Sequence, residues 1–167
     1  MERYSVIRRE DQIAFVTDAL ELSGCTIHGV PDPRSAPFVF SVDMPSGQPL
    51  NLICYIFLAN KYRQKGRPAD EHRFQIKYGS EFGRLHDIHM PQSRGEVTLM
   101  FGVHLEEGIV IAVDPAMHNP TRFSRSIEFK TSHVQEIQQR GWSGWGRERS
   151  WVRRTDLPLE SHRAGTL

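Results

Sequence analysis

The sequence predicts an α+β fold: a mainly antiparallel, twisted sheet of five to six strands, open or barrel-like, with one helix near each end. Three observations predict it. Apolar residues recur at helical spacing only near residues 9–24 and 131–140. Between those stretches lie short runs that are continuously apolar or alternate apolar with polar, as strands do. Several of these runs are joined by Gly-, Pro- and Ser-containing turns short enough for hairpins.

Taken in order, REDQIAFVTDALELSG places Ile13, Phe15, Val16, Ala19, Leu20 and Leu22 near helical spacing, and Gly24 can close the helix. Pro31, Pro33 and Pro37 then demand an extended connection. Phe38 to Val42 reads as a strand, Pro45-Ser46-Gly47 as a turn, and Leu50 to Leu58 as a strand apolar on both faces. Ala59 to Asp70 is a long basic loop. Glu71 to Tyr78 alternates, with His72, Phe74, Ile76 and Tyr78 inward and Glu71, Arg73, Gln75 and Lys77 outward. After an irregular segment, Val97 to Leu105 and Ile109 to Val113 flank Glu106-Glu107-Gly108 and predict a hairpin. A short strand holds Ile127 to Lys130. Thr131 and Ser132 can cap the second helix, and Gly141 ends it.

A chain of 167 residues suits one domain over about residues 1–150, with 151–167 as a polar tail or the start of a linker. The last piece, SHRAGTL, has little apolar content and is expected to be disordered. No apolar run is long enough to span a membrane, and MERYSVIRRED lacks the apolar core of a signal peptide; the expectation is cytoplasmic. Cys25 and Cys54 are too few and too far apart for a disulfide framework. Cys54, inside an apolar run, is expected in the core. His86-Asp87-Ile88-His89 offers two imidazoles and a carboxylate, but its spacing demands no metal, and none is assigned.

Net charge is only +1, yet the cations cluster. Lys61, Arg63, Lys65 and Arg67 share the loop after the long apolar strand and suit DNA phosphates. Arg73, Gln75 and Lys77 share a strand face, and Arg and Gln can read guanine and adenine edges. Arg122 and Arg125 lie on a loop with Asn119 and Ser124. Trp142, Trp145 and Trp151 alternate with glycine and arginine; such rings can stack an unpaired base or seal the core. These features favour a DNA-binding module.

A second reading uses the same central stretch for catalysis. Asp114 ends an apolar strand, and Glu128-Phe129-Lys130 follows on the next, in the outline of a PD-(D/E)XK nuclease. Two carboxylates would hold Mg²⁺, which activates water, and Lys130 would stabilise developing charge. The same residues fit a turn and the solvent face of a strand. A third reading is a protein-interaction domain with solubilising basic loops. No phosphate-binding loop, dinucleotide fingerprint or nucleophile elbow is present in the sequence.

Four pieces carry a resemblance: Asp70-Glu71-His72-Arg73-Phe74-Gln75, Thr98-Leu99-Met100-Phe101-Gly102, Ile111-Ala112-Val113-Asp114-Pro115 and Phe123-Ser124-Arg125-Ser126-Ile127. Over about residues 38–140 the chain resembles a domain found at the N-terminus of bacterial restriction endonucleases or encoded beside DNA methylases. The resemblance implies a module of a restriction or phage-defence system that reads a DNA sequence or a modified base. Its implied partners are double-stranded DNA, methylated or not, and a linked nuclease domain, with a homodimer compatible. In that family the positions of Glu128 and Lys130 need not be acidic and basic, which implies recognition without catalysis and without a cofactor.

Overall fold

Leu52 to Phe57 offers no polar position on either face, so the strand it forms must be covered on both sides and flanked on both edges. The computed structural model builds the molecule around that strand. It describes residues 1, 3–6, 9–62, 65–79, 81 and 83–146, together with the backbone of 161–165. The chain runs β1 (Tyr4–Ser5), α1 (Glu10–Leu22), β2 (Thr26–Gly29), β3 (Ser35–Ala36), β4 (Phe38–Asp43), β5 (Pro49–Lys61), β6 (Glu71–Lys77) and β7 (Leu85–His86). It continues through β8 (Glu96–His104), β9 (Ile109–Val113), a 3-10 turn (Pro115–His118), β10 (Thr121–Arg122), β11 (Ser124–Lys130), α2 (Thr131–Arg140), β12 (Trp142–Gly146) and β13 (Ser161–Gly165).

The expected α+β architecture is present, and among the described residues the principal sheet has nine strands in the order β11-β6-β5-β8-β9-β13-β12, with β4 and then β2 on the same edge of β5 as β6. The expected count of five to six omitted the short strands, whose two to five residues carry too little pattern to announce themselves. The sheet does not close: β11 and β12 are its ends, so the barrel-like variant is not what forms. Both predicted hairpins are found. Val42 faces Leu50 across β4–β5, and Met100 faces Val113 across β8–β9.

The long strand divides its edges. β4 takes Pro49 to Cys54 and β6 takes Ala59 to Lys61 on one side, both antiparallel. β8 runs parallel to it from Asn51 to Leu58 on the other. Parallel pairing needs a long crossover, and residues 62–95, with β6 inside them, provide it. Local patterns specify hairpins but do not reveal such a pairing. The C-terminal segment also departs from expectation. Ser161–Gly165, read as disordered, lies between β9 and β12 and pairs with both. Backbone pairing needs no apolar side chains, which is why composition missed it.

Ile13, Val16 and Ala19 form the buried stripe of α1, which packs on β2 and β5. Val134 and Ile137 do the same for α2, against β9, β11 and β12. Gly141 closes α2 in the left-handed region at φ 79°, and its N–H donates to the Ile137 carbonyl. Thr131 does not cap the helix from outside. It is the first helical residue, and both its N–H (2.9 Å) and its hydroxyl (3.3 Å) donate to the carbonyl of Asp70. Thus α2 is pinned to the base of the basic loop. Cys54 lies in the core as expected, and burial pushes its thiol up to about 12.

Candidate nucleic-acid interface

Alternation along β6 buries His72, Phe74 and Ile76 and turns Arg73, Gln75 and Lys77 outward. Register extends this outer face to neighbouring strands. Across β11, Glu128 faces Arg73, Ser126 faces Gln75 and Ser124 faces Lys77. Across β5, Asn60 faces Arg73. The result is a polar patch at the β11 end of the sheet.

Arg73 carries its guanidinium over the Tyr62 ring, 3.3 Å from the centroid, and meets no hydrogen-bond acceptor among the described residues. The ring holds the guanidinium by cation–π attraction, a contact that uses none of its N–H donors. The Gln75 amide donates to the Ser124 hydroxyl at 2.5 Å. Arg67 reaches in from the loop and bridges Glu71 Oε2 at 3.4 Å and Glu128 Oε1 at 3.5 Å. The Glu71 carboxylate is nearly enclosed, and its Oε1 has no hydrogen-bond partner among the described residues.

The structure brings together Arg67, Arg73, Gln75 and Lys77 but not every residue expected to touch DNA. Lys61 faces His72 and Arg125 faces Ile76, so both project from the opposite side of the sheet to Arg73. Lys65 is exposed on the loop, and Arg122 is exposed on β10 opposite Leu85. Arg63, Trp151 and the arginines 147, 149, 153 and 154 lie outside the described residues. Trp142 is 64% exposed on β12, while Trp145 stacks on His133 with ring centroids 4.2 Å apart. Four strands separate β12 from β6 in the sheet order, and Trp145 is held at the start of α2, where His133 Nδ1 accepts from Lys130 N–H at 3.2 Å.

The nuclease constellation does not assemble. Asp114 accepts a hydrogen bond from Ala116 N–H at 2.9 Å and caps the 3-10 turn. Glu128 sits on β11, with β6, β5 and β8 between it and the end of β9 that carries Asp114. At about 4.8 Å per strand this is on the order of 15–20 Å, too far for one Mg²⁺. Lys130 is exposed at the end of β11, opposite Glu71. His86 and His89 are likewise apart in their contacts: His86 meets Tyr4 Oη and the Glu81 carbonyl, and His89 meets Glu96. No group of three His, Cys, Asp or Glu side chains among the described residues could hold a metal.

Beneath the patch lies a buried chain that sequence reasoning missed. His104 Nε2 is 3.0 Å from His72 Nδ1, and His72 Nε2 is 3.0 Å from the Thr131 hydroxyl. The hydroxyl spends its proton on the Asp70 carbonyl, so His72 Nε2–H must donate to it. His72 Nδ1 then accepts from His104 Nε2–H, which leaves His104 Nδ1 a bare acceptor with no partner among the described residues. Burial holds the pKa of both rings below the usual histidine value, and at His72 the nearby His104 and Lys61 add to the effect. The available signal was position: His72 occupies an inward site of an alternating strand, and His104 ends an apolar one.

With the site's geometry in place, comparison with known families is decisive on one point. A family profile described as Methylase-associated X1 matches residues 50–154. The chain belongs to this family. The match begins within β5 and takes in β6, β8, β9, β11, α2 and β12, so the whole polar patch lies inside it. Membership in the methylase-associated X1 family places the chain in a restriction–modification context. No curated protein and no solved structure matched the chain. Among the described residues no helix is long and apolar enough to cross a membrane.

Proposed function

We propose that this chain is a non-catalytic DNA-recognition module of a cytoplasmic restriction–modification system, acting on double-stranded DNA beside a nuclease. The observation that carries this reading is Arg73: its guanidinium lies over the Tyr62 ring and meets no hydrogen-bond acceptor among the described residues, on a strand face shared with Gln75 and Lys77. Arg and Gln forks match guanine and adenine edges in the major groove, and a two-stranded ribbon such as β6–β11 fits that groove. Lys65, Arg67 and Arg122 supply phosphate contacts around it, and membership in a methylase-associated family supports DNA as the partner.

Binding to a labelled duplex panel, unmodified and methylated, at two salt concentrations with and without Mg²⁺, tests the reading. Salt-sensitive binding that leaves the DNA intact is expected. Arg73→Ala should weaken the preferred duplex by about 1–3 kcal/mol relative to the others. Lys65→Ala should weaken all duplexes alike. Equal losses for the two variants would refute the division of roles, and absence of binding at low salt would refute DNA recognition altogether.

A further inference from the structure

Two carboxylates on a face that meets DNA need a reason, because phosphates are repelled by them. Glu71 stands two residues before Arg73 on the same side of β6, about 7 Å away along the strand. It is 8% exposed, and its Oε1 is a buried acceptor without a donor among the described residues. Leaving such an oxygen unpaired is costly, and a ligand that brings an N–H removes the cost. Lys130 faces Glu71 across β11 but makes no hydrogen bond to that oxygen. Its other oxygen is held by Arg67, the loop residue that also spans Glu128.

We infer that Glu71 reads the groove-facing N4 amine of cytosine while Arg73 reads its paired or neighbouring guanine, with Arg67 covering the carboxylate until DNA arrives. The inference rests on the DNA-recognition reading above and names the base chemistry of that site. The juxtaposition supplies an acceptor and a fork of donors side by side, which is the complement of a G·C pair: guanine offers O6 and N7 acceptors, cytosine the N4 donor. Arg67 exchanges its two long carboxylate contacts, 3.4 and 3.5 Å, for a phosphate that can accept two of its N–H groups at once as the backbone approaches. That exchange bares Glu71 only when phosphate is in place, so base reading follows backbone contact. N4-methylation of cytosine replaces the groove-facing hydrogen with a methyl group and removes the donor, whereas C5-methylation leaves it.

The experiment uses the full chain and three forms of one G·C-only duplex: unmodified, with every cytosine N4-methylated, and with every cytosine C5-methylated. Affinities are read by fluorescence anisotropy at fixed salt. The wild type should bind the N4-methylated duplex about tenfold more weakly than the unmodified one, and the C5-methylated duplex within about twofold. Glu71→Ala should bind all three alike while keeping the wild-type salt dependence. Glu71→Gln, which keeps size and one acceptor oxygen, should bind the unmodified duplex in preference to the N4-methylated one, by a smaller factor than the wild type. Salt-dependent wild-type binding indifferent to N4-methylation overturns the role of Glu71 and leaves DNA recognition standing. Salt-dependent binding to none of the duplexes overturns both. The wild-type comparison decides the matter even where Glu71→Ala does not fold.

Discussion

Close approach at single residues sets how much this fold can absorb. Gly102 on β8 lies directly under Phe74, and a Cβ at that position would stand 2.6 Å from the ring. No flexible side-chain tip is available to yield there, since Phe74 is 1% exposed and stacks on Phe57 at 6.0 Å. Gly102→Ala should therefore destabilise the protein by about 1–3 kcal/mol, the usual cost of overpacking a filled core. A lowered urea midpoint at unchanged slope would record it. Made on top of Phe74→Ala, the same Gly102→Ala change should cost less, because alanine lacks Cγ and Cδ1, the two nearest of the atoms that clash. A double variant no more stable than the sum of the two single losses would show that the contact is not the cause. The sequence contains Thr98-Leu99-Met100-Phe101-Gly102-Val103 as an apolar strand, but nothing in it says that the glycine is there to admit a ring from β6.

Between elements, the buried chain His104–His72–Thr131–Asp70 ties β8 and β6 to the start of α2 and the base of the basic loop. Every proton in it is spoken for. A further proton on His72 Nδ1 would oppose two N–H groups at 3.0 Å. Lys61 and Asp70 are the charged groups beside His72, with Glu106 and Glu107 near His104 and Glu107 felt by both rings. Their opposing charges do not outweigh burial, and both pKa values stay below the ordinary histidine range. The sign follows from linkage. A pH unit or more above about 6.5, neither the native nor the unfolded chain binds an appreciable share of protons at these sites, and stability is unaffected. As pH falls below that value the unfolded chain takes up protons the native chain refuses, so stability drops. Each refused proton costs about 1.4 kcal/mol per pH unit. Urea midpoints from pH 8 to pH 5 should be level at first and then fall. His104→Phe should start lower, by about 1–3 kcal/mol for the unpaired His72 Nδ1, and lose less on acidification. A midpoint that is constant down to pH 5 would remove the chain from any account of stability. At this scale the elements legible in the sequence were the local ones. Helices and hairpins announce themselves by period and turn chemistry, and both hairpins and both helices were found where expected. The parallel β5–β8 ladder and the strand at Ser161–Gly165 depend on partners distant in sequence, and no local pattern encodes them.

The whole molecule separates two surfaces that the sequence runs together. Arg73, Gln75 and Lys77 were legible as one face because alternation along β6 fixes it. Arg125 and Lys61 were not, because their side of the sheet is set by register against Ile76 and His72, and a shift of one residue reverses the side. The tryptophans and the cations were read as one surface because both are polar-segment features. The sheet order instead puts β12 at the end opposite β11. This division makes a quantitative prediction about DNA. With a net charge of +1, affinity cannot come from the molecule's overall field and must come from the local cations at the β11 end. Lys65, Arg67, Lys77, Arg122 and Lys130 are the described cations of that region with no assigned base contact. If each neutralises one phosphate, the slope of log K against log salt is about −4 to −5. Lys65→Ala should reduce the slope by about one. Trp142→Ala should leave both slope and affinity within about twofold of the wild type, because four strands lie between its ring and Arg73. A tenfold loss of affinity in Trp142→Ala at an unchanged slope would mean that bases, not phosphates, reach the far edge. The binding surface would then have to wrap the sheet rather than occupy the polar patch.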